Sequence, residues 1–266
     1  LSEARDFSRN LAGKVAVVTG ATQGLGEAIA RELADRGAAG LILTGRNRER
    51  GEAVAQSLRS GGCDARFHSV DLADLAAVQT IVPAADKAFG RLDILINAAG
   101  DTDRGTILDT TPELYERIMA VNLTAPFFLI QDAATLMRRE KTRGAIVNIQ
   151  SMSAHGGQPF LAAYSVSKGA LATLTRNAAY GLLADKIRVN GLNIGWMSTP
   201  GEDAIMRLRH GAEDGWLDKA AAGQPFGRLI DPREVAKAVA YLASAESGLM
   251  TGANIDFDQT ILGAHD

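Results

Sequence analysis

Tyr164 and Lys168 lie four residues apart at the start of a predicted helix, so their side chains share one face. Moving a proton to or from an alkoxide needs an acid or a base. An unperturbed tyrosine, with a pKa of about 10, suits that task poorly at neutral pH. A lysine cation beside the phenol favours the phenolate and brings it toward a useful range. Ser151 stands thirteen residues before Tyr164, where a predicted strand ends, and its hydroxyl can bond a reacting oxygen. Singly, none of these is specific. A Tyr and a Lys at helical spacing are most often packing with a solvated tip, and a serine after a strand most often closes a turn.

A second group changes the odds. Residues 19–26 read Thr19-Gly20-Ala21-Thr22-Gln23-Gly24-Leu25-Gly26, between a predicted strand and a predicted helix. Glycines there let the backbone approach a pyrophosphate, and the free N–H groups of the helix start favour its charge. The spacing is TGxxxGxG rather than GxGxxG, and a glycine triplet alone also fits a tight turn without a ligand. The second predicted strand ends in Leu43-Thr44-Gly45-Arg46-Asn47, with no acid to accept the adenosine ribose hydroxyls. Gly45 leaves room and Arg46 can pair with a 2′-phosphate, which favours NADP over NAD. An exposed arginine at a helix start is the plainer reading of Arg46.

These groups need a scaffold. Strands are predicted at residues 14–19, 41–44, 65–70, 93–96, 145–150, 187–194 and 253–257. Helices are predicted at 24–36, 47–60, 74–89, 112–139, 162–184 and 232–243, with Asn47 as a cap and Gly37 and Gly61-Gly62 as stops. Pro83 blemishes the third helix and Pro126 should kink the long one. Residues 195–227 read as irregular. Such alternation demands a Rossmann-like α/β fold: a doubly wound, parallel, seven-stranded sheet with helices on both faces. No linker or repeat divides the chain. The expectation is an N-terminal arm, residues 1–12, and one dinucleotide-binding and catalytic domain, residues 13–266.

Asp71 after the third strand, Asn97-Ala98-Ala99-Gly100 after the fourth, Asn122 in the long helix, Ser151, and Tyr164-Ser165-Val166-Ser167-Lys168 add to the glycine turn. In order and separation the chain resembles the short-chain dehydrogenase/reductase family from Gly13 nearly to its end. The resemblance implies hydride transfer between a nicotinamide and an alcohol or carbonyl carbon. It makes Tyr164 the general acid/base, Ser151 the partner of the substrate oxygen, Lys168 the ligand of the nicotinamide ribose, and Asn122 the holder of a relay water. It assigns Gly20, Thr22, Gln23, Gly24, Leu25, Gly26 and Arg46 to the cofactor, with Asp71 at the adenine amino group and Leu72 as a backbone contact. Asn97, Ala98, Ala99, Gly100, Gly195, Met197 and Thr199 complete that site with Tyr164 and Lys168. Two departures stand out: neutral Gln23 where relatives often carry a basic residue, and Asn193-Ile194-Gly195 for Asn-Pro-Gly, which should loosen the turn beside the nicotinamide.

The expected substrate lining is Asp101, Thr102, Ser153, His155, Gln158, Trp196 and residues 201–223. Its polar and aromatic mixture suggests a small polar substrate such as a polyol, sugar or hydroxyketone. Trp216 and His155 also fit as a subunit contact and a loop hydrogen-bonder. The helices at 112–139 and 162–184 are apolar on more faces than one buried side requires, which predicts a homo-oligomer, a tetramer or a dimer; the resemblance implies that residues 250–263 complete a second interface. Alternatives on the same fold are a non-catalytic dinucleotide sensor and a non-redox epimerase or dehydratase.

Bulk properties agree. Of 266 residues, 46% are hydrophobic and 22% charged, ordinary for a globular chain. A net charge of −3 gives no field for nucleic acid or an anionic membrane. The single cysteine, Cys63, fits a reducing cytoplasm, and the scattered His68, His155, His210 and His265 suggest no metal. No apolar run reads as a membrane span, and the first residues do not read as a secretory signal.

Overall fold

The computed structural model describes residues 9–263. β1 (Val15–Val18) is buried at every residue, as a strand covered on both faces must be, and it leads through the glycine turn into α1 (Gly24–Asp35). β2 (Gly40–Gly45) follows, then α2 (Arg48–Ser60), whose cap Asn47 accepts from the Arg50 N–H. After β3 (Asp64–Ser69) the single helix expected over 74–89 is two: α3 (Leu75–Val78) and α4 (Ile81–Phe89). Pro83 explains the break, since it has no N–H to give the carbonyl of residue 79.

β4 (Ile94–Asn97) precedes the long helix Pro112–Arg139, which is built of α5 (Pro112–Met119), a π turn at Ala120–Thr124, and α6 (Ala125–Arg139). The irregularity expected at Pro126 takes this form. Pro126 cannot donate to the Asn122 carbonyl, and the Ala125 N–H reaches back five residues to the Ala120 carbonyl. Contrary to the sequence reading, this helix is long and apolar enough to cross a membrane. It lies against the sheet, however, with Leu129, Ile130, Ala133 and Met137 in the core.

β5 (Ala145–Ser151), α7 (Ala162–Gly181) and β6 (Arg188–Ile194) come next. The supposedly irregular stretch then holds two helices, α8 (Pro200–His210) and α9 (Trp216–Ala222). Neither buries a residue fully, so neither has the apolar stripe that periodicity detects. α10 (Pro232–Ala243) carries a capping box of Asp231 and Glu234, and β7 (Asn254–Phe257) ends the sheet.

The seven strands are parallel, in the order β3-β2-β1-β4-β5-β6-β7. α1, α2 and α10 contribute Ile29, Leu33, Val54, Leu58, Val235 and Val239 to the core on one face. α4 and α6 contribute Ile81, Val82, Leu129 and Ile130 to the other. Of the expected arm, residues 1–8 lie outside the described residues. Leu11 is 1% exposed and belongs to the core, so the packed part of the chain begins earlier than Gly13. The order reverses between β1 and β4, whose carboxyl ends therefore part to leave a crevice.

Candidate active site

The glycine turn forms one wall of that crevice. Gly20 has φ +68, and a Cβ there would stand 2.8 Å from the Ala99 Cα, while one on Gly26 would stand 2.3 Å from the Gly20 carbonyl oxygen. Only glycine permits both the turn and the close packing of helix on strand. Thr19 joins this turn to the segment after β4: its Oγ1 accepts from the N–H groups of Ala98 and Ala99 at 3.0 and 3.1 Å. Gln23 begins α1 without a side-chain cap, whereas α2 and α10 are capped by Asn47 and Asp231. The N–H groups of the first turn of α1 thus face the crevice without a side-chain partner, the arrangement an anionic phosphate requires. Gln23 Oε1 instead accepts from Arg50 Nη1 at 2.5 Å.

On the far wall, β5 delivers Ser151 and α7 delivers Tyr164 and Lys168. Ser151 Oγ accepts from the Ser153 N–H at 3.1 Å, and its hydroxyl faces the Tyr164 phenol closely enough to lower that group's pKa. Burial raises the Tyr164 pKa, opposed by the Ser151 hydrogen bond; Glu202 adds to the rise and the Arg104 cation counters it. Lys168 is buried, its Nζ donating to the Ile149 carbonyl at 2.8 Å and lying 5.6 Å from the Tyr164 ring centre. Burial lowers its pKa to about 8. Desolvation is the largest influence on both groups: it pushes the Tyr164 phenol up and the Lys168 ammonium down, with Lys168 Nζ lying over the phenol ring.

Asn122 lies in the π turn. Its side chain is fully engaged, accepting from the Asp101 N–H at 2.8 Å and donating to the Asp101 carbonyl at 2.9 Å and Ser167 Oγ at 3.0 Å. Ser167 Oγ in turn donates to the Tyr164 carbonyl at 2.7 Å. The side chain thus ties the π turn to the loop after β4 and to the start of α7. A water held at this position would fall to the main-chain carbonyl, which Pro126 cannot serve.

Gly20, Thr22, Gln23, Gly24, Leu25, Gly26, Arg46, Asp71, Leu72, Ala98, Ala99, Gly100, Ser151, Tyr164, Lys168, Gly195, Met197 and Thr199 all line one crevice of about 1070 Å³. Asn97 and Asn122 do not. Asn97 is buried beneath the floor, donating to Asn148 Oδ1 at 2.8 Å. Asp101, Thr102, Ser153, Gln158 and Trp196 line the substrate end, but His155 turns away and bonds Asp256 at 3.0 Å. Trp216 stacks on Trp196 at 6.2 Å and donates to Asp203 at 2.7 Å. At Ile194, where relatives have proline, the chain is still strand. The strand ladder runs through Ile194 against Phe257, and the Gly195 N–H donates to the Phe257 carbonyl at 3.1 Å. Sequence reasoning placed Thr19 in the glycine turn and Glu202 within residues 201–223, but gave no role to Arg50 or Arg104. Arg50 had a signal, four residues after Arg46 at the start of α2; Arg104 meets Glu202 only because segments far apart in the chain come together.

The residues fit a nicotinamide dinucleotide. The open start of α1 would hold the phosphates, and the crevice of about 1070 Å³ is slightly larger than the usual ligand site of about 300–1,000 Å³. Comparison with known proteins agrees. The family model described as enoyl-(acyl carrier protein) reductase matches residues 20–260. The chain is 34% identical to an NADP-dependent (R)-specific alcohol dehydrogenase of Lentilactobacillus kefiri, covering 93% of this chain and 96% of that one. It is 36% identical to a cis-4-hydroxycyclohexanecarboxylate dehydrogenase of Sinomonas cyclohexanicum, with 93% and 96% covered. To a 2,3-dihydro-2,3-dihydroxybenzoate dehydrogenase of Bacillus subtilis it is 32% identical, with 94% and 97% covered. A solved short-chain dehydrogenase/reductase family protein superposes with a TM-score of 0.81 at 33% identity, over 94% of this chain and 97% of that one. The chain belongs to the short-chain dehydrogenase/reductase family and is an NAD(P)-dependent oxidoreductase acting on alcohol or carbonyl groups.

Proposed function

We propose that the protein interconverts a small, polar alcohol and its carbonyl compound, with NADP preferred to NAD. The observation that carries this reading is the convergence of Ser151, Tyr164 and Lys168 in the crevice that begins at the open start of α1. When bound, the dinucleotide supplies or accepts the hydride. Tyr164 gives its phenolic proton to the substrate oxygen in reduction and recovers it in oxidation. Ser151 donates to the same oxygen and fixes its place. Lys168 orients the ribose, and the carbonyl of Asn122 holds the water that refills Tyr164. Two of the relatives act on ring alcohols bearing further polar groups, which agrees with the polar lining at Asp101, Thr102, Ser153 and Gln158. A cytoplasmic homo-oligomer, tetramer or dimer, is the setting we infer.

The cofactor preference rests on charge and space. No acid stands at the end of β2, and a side chain at Gly45 would meet Thr22 Cγ2 at 2.6 Å. Arg46 lines the crevice, and Arg50 is drawn toward the glycine turn by Gln23. A 2′-phosphate would meet two guanidinium groups. Fluorescence titration should show NADPH bound more tightly than NADH, and Arg46→Ala should cut the preference by on the order of tenfold. Tighter binding of NADH by the unmutated protein would overturn it.

A further inference from the structure

We propose that the substrate carries a carboxylate and that Arg104, on the loop after β4, is the residue that binds it. The inference rests on the reading of the crevice as the site of alcohol and carbonyl chemistry.

Arg104 lines the crevice with Tyr164 and Ser151, and its side chain is 13% exposed. Its Nε donates to His210 at 3.1 Å and its Nη1 to the Thr102 carbonyl at 2.5 Å, while the Phe160 ring lies 5.6 Å from the guanidinium carbon. These contacts fix the plane of the guanidinium but use two of its five N–H donors. Its carboxylate partner, Glu202 on α8, stands 3.5 Å from Nη2 and is better bonded elsewhere, accepting from the Trp196 indole at 2.9 Å.

The neighbouring cations are differently placed. Arg117 bonds Asp101 at 2.9 Å and Asp103 at 2.8 Å, and Arg209 also bonds Asp103 at 2.8 Å. Both acids of the loop are thereby taken up by other arginines, and the carboxylate facing Arg104 is that of Glu202, at 3.5 Å rather than at hydrogen-bond contact. A largely desolvated guanidinium with a loose counter-ion is costly, and a ligand carboxylate accepting from both Nη groups relieves that cost with two parallel bonds. The charge also sits within electrostatic reach of the reacting tyrosine, since Arg104 and Glu202 both act on the Tyr164 phenol. A substrate anchored by its carboxylate at Arg104 and by its reacting oxygen at Tyr164 and Ser151 is held at two points, which selects an oxo acid or hydroxy acid.

The test compares 2-oxobutanoate, 4-oxopentanoate and 4-oxocyclohexanecarboxylate with their methyl esters, using the holoenzyme with NADPH. At least one acid should exceed its ester in kcat/KM by on the order of 10- to 100-fold. Arg104→Gln should collapse that ratio toward one by raising KM for the acid, and Arg104→Lys should restore part of it. A ratio near one in the wild type, or one that survives Arg104→Gln, overturns the proposal. Tyr164→Phe separates the two levels: it should stop acid and ester alike, and if it does not, the underlying reading of the site fails instead. Should no pair turn over, the acids are titrated against the emission of Trp196 and Trp216 in the cofactor-loaded protein. A saturable change shown by the acids, absent with the esters and lost in Arg104→Gln, supports the proposal; none overturns it.

Discussion

Lys168 shows at the scale of one residue how the site trades stability for chemistry. Burial lowers its pKa from 10.5 to about 8. Between those values the unfolded chain keeps a proton that the folded protein has released, so this group makes stability rise with pH across that window. Below pH 8 the cost of a buried ammonium is present in full. Lys168→Met should therefore stabilise the cofactor-free protein at pH 7. The gain is about 3 kcal/mol from the relieved burial, less about 1 kcal/mol for the lost bond to the Ile149 carbonyl, while activity disappears. Urea denaturation at pH 7 and pH 10 checks it: the variant's advantage should shrink at the higher pH, and a variant less stable at pH 7 would refute the argument. Ser151, Tyr164 and Lys168 could be singled out in the sequence only together with the glycine turn and the family resemblance, and all three line the crevice. Their electrostatics were not legible, because desolvation depends on how α7 is covered and no spacing records that.

Among the elements, the π turn at Ala120–Thr124 joins the long helix to the catalytic one. Asn122→Ala removes three hydrogen bonds of a buried side chain, to both main-chain groups of Asp101 and to Ser167. It should cost about 2–4 kcal/mol and lower kcat more than it raises KM, since the start of α7 loses its tether while the crevice keeps its lining. Thermal denaturation and steady-state kinetics read the two effects, and an unchanged Tm would contradict this role. Strand–helix alternation, the caps at Asn47 and Asp231, and the stop near Gly61 could be read directly, because each follows from local propensity. The division at Gln79–Thr80 and the π turn follow from Pro83 and Pro126, whose sites of disruption were visible but whose form was not. α8 and α9 escaped because they bury no continuous stripe, leaving no period to detect.

At the level of the whole molecule, α5 to α7 leave apolar side chains uncovered. Tyr180 is 82% exposed, Val166 55% and Phe127 47%, and Leu249 and Ile261 stand open near the end of the chain. Faces of this kind on adjoining helices suit a closed, two-fold association. Light scattering should give a mass of two or four times the chain's 28.0 kDa, and a monomer persisting at micromolar concentration would contradict the expectation. Composition and net charge had already pointed away from nucleic acid, and the apolar helix circumference had pointed toward self-association. The substrate was the part least legible, because the loop after β4 and α8, which line that end of the crevice, meet only in three dimensions. The central claim is that Tyr164 transfers the proton in nicotinamide-dependent carbonyl chemistry. Nicotinamide absorbance, followed with NADPH and a panel of ketones, hydroxyketones and oxo acids, tests it most directly in the wild type and in Tyr164→Phe. The account predicts carbonyl-dependent oxidation of NADPH that falls by at least ~10²-fold in the variant, with NADPH affinity nearly unchanged. A variant that keeps more than about a hundredth of the wild-type rate would contradict it.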